Sequence, residues 1–331
     1  MAAWSWFRRT SPVANPGPDD GREAPGPRVP PEVLRQVRRL ELELRGMVNA
    51  VFGGEYRSVF RGQGVEFSEV RAYEPGDDIR HIDWNVTARM GHPFVKRHVE
   101  ERELTLLLCV DLSGSTQFGT RTRFKAEVSA EASMLIALSA VRNNDRVGLL
   151  LFTDRVEHVV PPDKGRRHVL RLIRDLMAVE PRGTGTDVGR ALDYAARMLP
   201  HRSIIFVMSD FIAPGPGPVG ANGIPDWEKR LRTAARRHDV IALRVTDTGD
   251  AIMPAVGLVR LLDPETGRET LIDTGAGPWR VAFDAQLARE ETYRTRAFRQ
   301  AAVDEIELHT SESTAPALLA FFRRRQRRRQ R

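Results

Sequence analysis

The 331-residue chain has one cysteine, Cys109. This excludes an intrachain disulfide and any zinc site built from several thiolates, and it fits a reducing compartment. Long apolar runs are also missing. The most apolar stretches, 104–110 (LTLLLCV) and 134–141 (MLIALSAV), fall far short of the roughly 18–20 residues that a bilayer span needs. The N-terminus, MAAWSWFRRTSP, shows neither an apolar h-region nor a small-residue cleavage site, so no signal peptide is expected and a cytoplasmic location is. Catalytic signatures are scarce. There is no Walker-A loop, no His-Glu-x-x-His and no Gly-x-Ser-x-Gly elbow, and the eight histidines are scattered. P-loop ATP hydrolysis, zinc-protease chemistry and serine-hydrolase chemistry therefore have no sequence support.

Lysine is nearly absent too. Only Lys96, Lys125, Lys164 and Lys229 stand among 51 basic residues. The net charge of +7 is local, because 323–331 (RRRQRRRQR) contains seven arginines and no acid. Without it, 44 basic residues face 44 acidic ones, so the body has no charge excess that would attract nucleic acid.

Residues 1–31 hold seven prolines and little apolar content and are expected to be disordered. From Glu32 the residues Val33, Val37, Leu40, Leu44 and Val48 recur at three- and four-residue steps, one apolar helix face, which Gly53-Gly54 should end. The stretch 55–99 is dense in Gly, Asp and Arg, with short extended segments at Val65–Phe67 and Phe94–Val99. From Leu104 strands and helices alternate. Buried strands are expected at 104–110, 147–152, 204–208 and 240–245, with 156–160 beside the second. Helices are expected at about 124–138, 168–179, 188–199, 227–237 and 282–302. A hairpin is expected between Val256 and Asp273, and a last strand at 306–308. This alternation implies an α/β fold with a mostly parallel, doubly wound sheet and helices on both faces. The expected division is 1–31 disordered, 32–100 an N-terminal helix-plus-β segment, 101–312 the α/β domain, and 313–331 a short helix with an arginine-rich tail.

Three motifs fall where ligands bind in such sheets, at carboxyl ends of strands or at helix starts. They are Asp111-Leu112-Ser113-Gly114-Ser115 after the first buried strand, Thr186 in Gly183-Thr184-Gly185-Thr186-Asp187, and Ser209-Asp210 after a later strand. Two carboxylates and three hydroxyls offer hard oxygens of the kind Mg²⁺ prefers, without saturating its charge. One position is left for an incoming carboxylate, so the set can dock a partner as readily as catalyse.

These residues resemble the metal-ion-dependent adhesion site of von Willebrand factor A (VWA) domains. By that resemblance Asp111, Ser113, Ser115, Thr186 and Asp210 are ligands of Mg²⁺, directly or through water, and Mn²⁺ or Ca²⁺ can stand in. Thr184 competes with Thr186 for its place. Phe211 follows Asp210 where the pattern often has glycine, so a different loop shape is expected there. Further upstream, Gly54–Ser58 (GEYRS), Glu66–Arg71 (EFSEVR), Tyr73–Asp78 (YEPGDD), Ile82–Arg89 (IDWNVTAR) and Glu100–Glu103 (EERE) together resemble a bacterial family catalogued as domain of unknown function fifty-eight. That resemblance spans roughly Val33 to Ala320. It implies a VWA-like fold and, as partner, a MoxR-type AAA+ ATPase or its client, with no reaction assigned.

Two features compete with this reading. Asp77, Asp78, His81 and Asp83 crowd around Trp84. They form either a second metal or hydrolytic site or, in the favoured reading, a turn network in which the aspartates cap N–H groups and bind Arg71, Arg80 or Arg89. Arg323, Arg324, Arg325, Arg327, Arg328, Arg329 and Arg331, after the apolar segment Ala315–Phe322, form either an anion-binding tether for RNA, DNA or membrane or a solvated tail. The expected function is that of a non-enzymatic, metal-dependent protein-binding module.

Overall fold

The computed structural model describes residues 31–48, 56, 67–99, 103–117, 119, 123–212, 226–263 and 267–329. The proline-rich N-terminus, the Gly53-Gly54 stop, most of the Gly54–Ser58 motif, Glu100–Arg102, the hairpin turn at 264–266 and Arg331 lie outside them, as do the side chains of His81 and Arg329.

The central sheet grows from four runs of β-branched and long aliphatic residues: β3 (Thr105–Asp111), β4 (Arg146–Phe152), β6 (Ile204–Ser209) and β7 (Asp239–Thr246). Every residue from Leu106 to Val110 is at most 1% exposed, which explains why the run lacks alternation: both faces of a parallel sheet are covered. With β5 (Val156–Asp163) and β10 (Asp304–His309), the strand order is β10-β7-β6-β3-β4-β5. All neighbours run parallel except β4 and β5. This is the expected doubly wound, mostly parallel α/β sheet.

Helices cover both faces. Leu106, Leu108 and Val110 point to a core shared with α1 (Pro31–Met47), α3 (Lys125–Arg142) and α4 (Arg166–Ala178), whereas Leu107 and Cys109 belong to a core shared with α5 (Val188–Met198) and α6 (Asp226–Arg237). Cys109 is fully buried and burial pushes its thiol pKa up, so it packs as a small apolar residue. The apolar stripe of α1 (Val33, Val37 and Leu44) and Val48 just beyond it join the first core together with Tyr56. The Tyr56 hydroxyl donates to Asp145 at 3.0 Å and its ring meets Phe322 edge-on at 6.0 Å. The N-terminal helix thus shares one core with the sheet.

Smaller elements decorate this body. β1 (Phe67–Ala72) pairs antiparallel with β2 (Phe94–Val99), with α2 (Trp84–Met90) between them. The hairpin expected between Val256 and Asp273 is β8 (Leu258–Leu262) with β9 (Glu269–Asp273). The long helix that follows, α7 (Gly277–Ala301), begins five residues earlier than its apolar pattern suggests. Among the described residues, no helix is long and apolar enough to cross a membrane.

The C-terminal expectation needs correction. The arginine-rich segment up to Arg329 belongs to a continuous helix, α8 (Thr314–Arg329). Leu318, Phe321 and Phe322 are at most 2% exposed. They hold the helix on the core, and the following arginines continue its turns. Arg325 faces inward: its Nη2 contacts both Asp239 carboxylate oxygens at 2.5 Å, and its Nε lies 3.6 Å from Asp304. It is an internal ion-pair residue and leaves the anion-binding set.

Candidate metal centre

The strand order places the site. From β3 the chain winds out to β4 and β5 on one side, then returns to β6 and winds out to β7 and β10 on the other. The crevice beyond the carboxyl ends of β3 and β6 is the switch point where ligands bind in such sheets. Val110 pairs with Met208, so Asp111 and Ser209 emerge side by side although almost a hundred residues separate them.

Asp111 is 1% exposed, and each of its oxygens has a partner. Oδ1 accepts from the Ser113 amide at 2.8 Å and Oδ2 accepts from the Ser209 hydroxyl at 2.7 Å. The first bond folds the loop back into a 3-10 turn at Gly114–Gln117, as aspartate does in turns. It brings the Ser113 and Ser115 hydroxyls within 3.2 Å of each other. The Gly114 amide donates to the Thr184 carbonyl at 2.9 Å, which joins this loop to the 183–187 loop. That second loop is seated by Gly183, whose amide donates to Glu157 at 2.7 Å. A Cβ at Gly183 would overlap Thr153 and Asp154, so only glycine allows this approach. Thr184 contributes its carbonyl and its side chain is exposed. Thr186 is half-buried, one residue before Asp187, which caps α5 by accepting from the Arg190 amide.

Asp210 completes the group. It is 3% exposed and its Oδ1 accepts from the Ile212 amide at 3.2 Å. Phe211 has φ of 53°, in the left-handed region. The loop thus takes the backbone region that glycine favours, contrary to the different shape expected from the sequence. The strain is held by burial, since Phe211 meets Phe298 edge-on at 5.1 Å. Phe211→Gly releases about 1 kcal/mol of left-handed strain but forfeits about 3 kcal/mol of ring packing. Phe211→Ala forfeits the packing and keeps the strain. Urea unfolding should therefore rank wild type above Phe211→Gly and Phe211→Gly above Phe211→Ala; the reverse order of the two variants would deny the strain.

The sequence reading missed Lys125, the first residue of α3. It is 2% exposed, and its Nζ lies 3.2 Å from Asp210 Oδ2 and 2.9 Å from Asp250 Oδ2. Burial alone would push its pKa down, but attraction to Asp210 and Asp250 and the hydrogen bonds to both outweigh this and raise it. The signal was faint: a rare lysine, in a chain that otherwise uses arginine, opening an apolar helix. Nothing in the sequence tied it to Asp250.

The donor set fits a hard divalent cation. Burial and the nearby Asp210 charge lift the Asp111 carboxyl to about 7. A bound cation would favour the ionised form of this buried carboxyl, and the Ser113, Ser115 and Ser209 hydroxyl oxygens lie beside it. Among the described residues no group of three or more His, Cys, Asp or Glu side chains could hold a metal. The fit rests on two carboxylates with hydroxyls, a set suited to Mg²⁺.

Burial also lifts Glu127 to about 7 and Asp145 to about 6. A carboxyl whose pKa is higher folded than unfolded takes up a proton on folding. Its contribution to stability is complete below about pH 4 and is lost as the pH rises to about 7. Burial lowers His238, which acts in the opposite sense, one group against three. The chelator-treated protein is expected to be less stable at pH 7.5 than at pH 5.0 by a few kcal/mol, with the largest share from Asp111. A urea midpoint that rises over this interval would contradict the assignment.

The second polar cluster makes local contacts. Asp77 accepts from Arg71 at 2.6 Å and from the Glu74 amide at 3.0 Å, and the Arg71 bond is the main cause of its lowered pKa. Asp78 binds the Arg80 amide and guanidinium. Asp83 caps α2 through the Asn85 and Val86 amides. These are the caps and arginine pairs of the favoured reading. His81 lies in the 3-10 turn between them.

The model of the family described as "Protein of unknown function DUF58" matches residues 69–293. The uncharacterized protein Rv1480 of Mycobacterium tuberculosis is 32% identical over 301 residues, covering 90% of this chain and 91% of that protein. Its counterpart Mb1516 of Mycobacterium bovis shows the same figures. Among solved structures, the conserved hypothetical protein BatB from Bacteroides thetaiotaomicron is 15% identical with a TM-score of 0.41, over 68% of this chain and 99% of that one.

Proposed function

The chain belongs to the DUF58 family, and from that premise we propose that it is a non-enzymatic protein-binding module whose contact with its partner depends on a divalent cation, Mg²⁺ in the first instance. The observation that carries this reading is the buried pairing of Asp111 and Asp210 with the Ser113 and Ser115 hydroxyls at the ends of β3 and β6. Asp111, Ser113, Ser115, Thr186 and Asp210 would hold the cation, directly or through water. When bound, it supplies an electrophilic position for a carboxylate of the partner. The chain's own groups do the rest. Ser209 and the Ser113 amide fix the Asp111 carboxylate, and the Gly114–Thr184 bond holds the two loops in register.

The proposed partner is a MoxR-type AAA+ ATPase or its client, with this chain as adaptor or co-chaperone in the cytoplasm. Support comes from the upstream motifs Tyr73–Asp78 and Ile82–Arg89, which carry the family resemblance that implies this partner. The test is capture of the purified MoxR-type ATPase of the same genome by the immobilised chain, in Mg²⁺ and in EDTA. Retention in Mg²⁺ alone is expected. Equal retention in both would rule out metal-gated binding, and no retention in either would remove the ATPase as partner.

A further inference from the structure

The adhesion-type ligand pattern has no use for Lys125, yet its ammonium touches one of the ligands. We propose that Lys125 is a resident cation of this site: it sets how tightly a divalent ion is held and links occupancy to the Thr248–Ala251 turn. The inference rests on the metal reading above and adds a regulator to it.

Lys125 Nζ bridges Asp210 Oδ2 at 3.2 Å and Asp250 Oδ2 at 2.9 Å. Asp210 closes the end of β6, and its other oxygen is held by the Ile212 amide. Asp250 belongs to a different element. Its Oδ2 also accepts from the Asp247 amide at 2.8 Å, and Asp247 in turn accepts from the Gly249 amide and the Thr310 hydroxyl. One ammonium therefore stands between the ligand-bearing loop and a turn that is tied to the segment after β10. Its compact, three-donor geometry suits this bridge in a way a planar guanidinium does not.

An ammonium and a divalent ion compete for the same carboxylate. When Asp210 turns its charge to the ion, the ammonium is repelled by the ion and left to Asp250 alone. Asp111, Asp210 and Asp250 against Lys125 leave two negative charges, which a divalent ion balances. Removing the lysine charge leaves three, and removing the Asp250 charge leaves one. The two changes must therefore move ion affinity in opposite directions. An ion pair with only a structural role would destabilise the fold in both variants without this reversal.

The experiment titrates Mn²⁺ into the full chain, read by paramagnetic resonance and calorimetry, for wild type, Lys125→Met and Asp250→Asn. Lys125→Met is expected to bind about 10-fold tighter, and Asp250→Asn several-fold weaker. Amide exchange across 248–252 should change on Mn²⁺ addition in wild type and not in Lys125→Met. If wild type binds Mn²⁺ and the two variants shift together or not at all, the role of Lys125 is overturned and the metal reading stands. If none of the three binds, both fall. If Lys125→Met fails to fold, Asp250→Asn decides alone: unchanged or tighter binding overturns the proposal.

Discussion

Asp111→Ala is expected to bind Mg²⁺ and Mn²⁺ at least about 100-fold more weakly than wild type, since even support residues around a metal site cost about 10–100-fold when removed. The fold should survive. Burial and Asp210 already disfavour the Asp111 charge, so removing it relieves repulsion while it leaves the Ser209 hydroxyl and the Ser113 amide without their acceptor. These effects offset to within about 1 kcal/mol in the ion-free protein. Two thermal melts separate binding from folding. Without ion, wild type and variant should melt within a few degrees of each other. With millimolar Mg²⁺ at pH 7.5, only wild type should be stabilised, because a ligand shifts stability only through the state that binds it. An Asp111→Ala protein that keeps the wild-type Mg²⁺ shift would show that the constellation is not the metal centre. Asp111→Asn should behave like alanine toward the ion, because the lost charge, and not the shape, is what matters.

The second large effect concerns a residue that the sequence assigned to the arginine-rich tail, as anion-binding tether or solvated segment. Arg325→Ala is expected to cost about 3–5 kcal/mol, because it leaves Asp239 buried without its countercharge. Asp239 accepts both close contacts from Arg325, and its carboxylate is 9% exposed. Arg327→Ala, two residues on and exposed, should stay within about 0.5 kcal/mol of wild type. Urea unfolding of the two variants decides. Equal, small losses would mean that the arginines are interchangeable and the helix merely rests on the surface. Outward arginines remain on α8, with Arg324 against the Phe321 ring and Arg328 paired to Asp304. Any tether for anionic surfaces therefore uses these outward arginines and not Arg325.

Neighbouring residues alone specify the sheet and the place of the candidate site within it. Short unbroken apolar runs such as 104–110 and 204–208, within a strand–helix alternation, suit strands covered on both faces, and Asp-x-Ser-x-Ser and Ser-Asp directly after such runs then emerge at their carboxyl ends. Local chemistry of this kind is written in neighbouring residues, so it is legible without knowledge of the fold. The same holds for the caps of Asp78 and Asp83, whose partners lie two or three residues away.

The tertiary structure decided what depends on groups far apart in the chain. Whether Lys125 faces solvent or the carboxylates of Asp210 and Asp250 follows from how α3 is laid against the sheet, and no spacing in the sequence encodes that. Whether an arginine is tail or strut depends on Asp239 and Asp304 lying under α8, 86 and about 20 residues away. Phe211 follows the same rule. Its left-handed backbone is unfavourable locally and persists because Phe298, from the distant helix α7, supplies the packing that offsets it. Local preference yields to burial at these positions because each contact draws on surface or charge that only the assembled fold brings within reach.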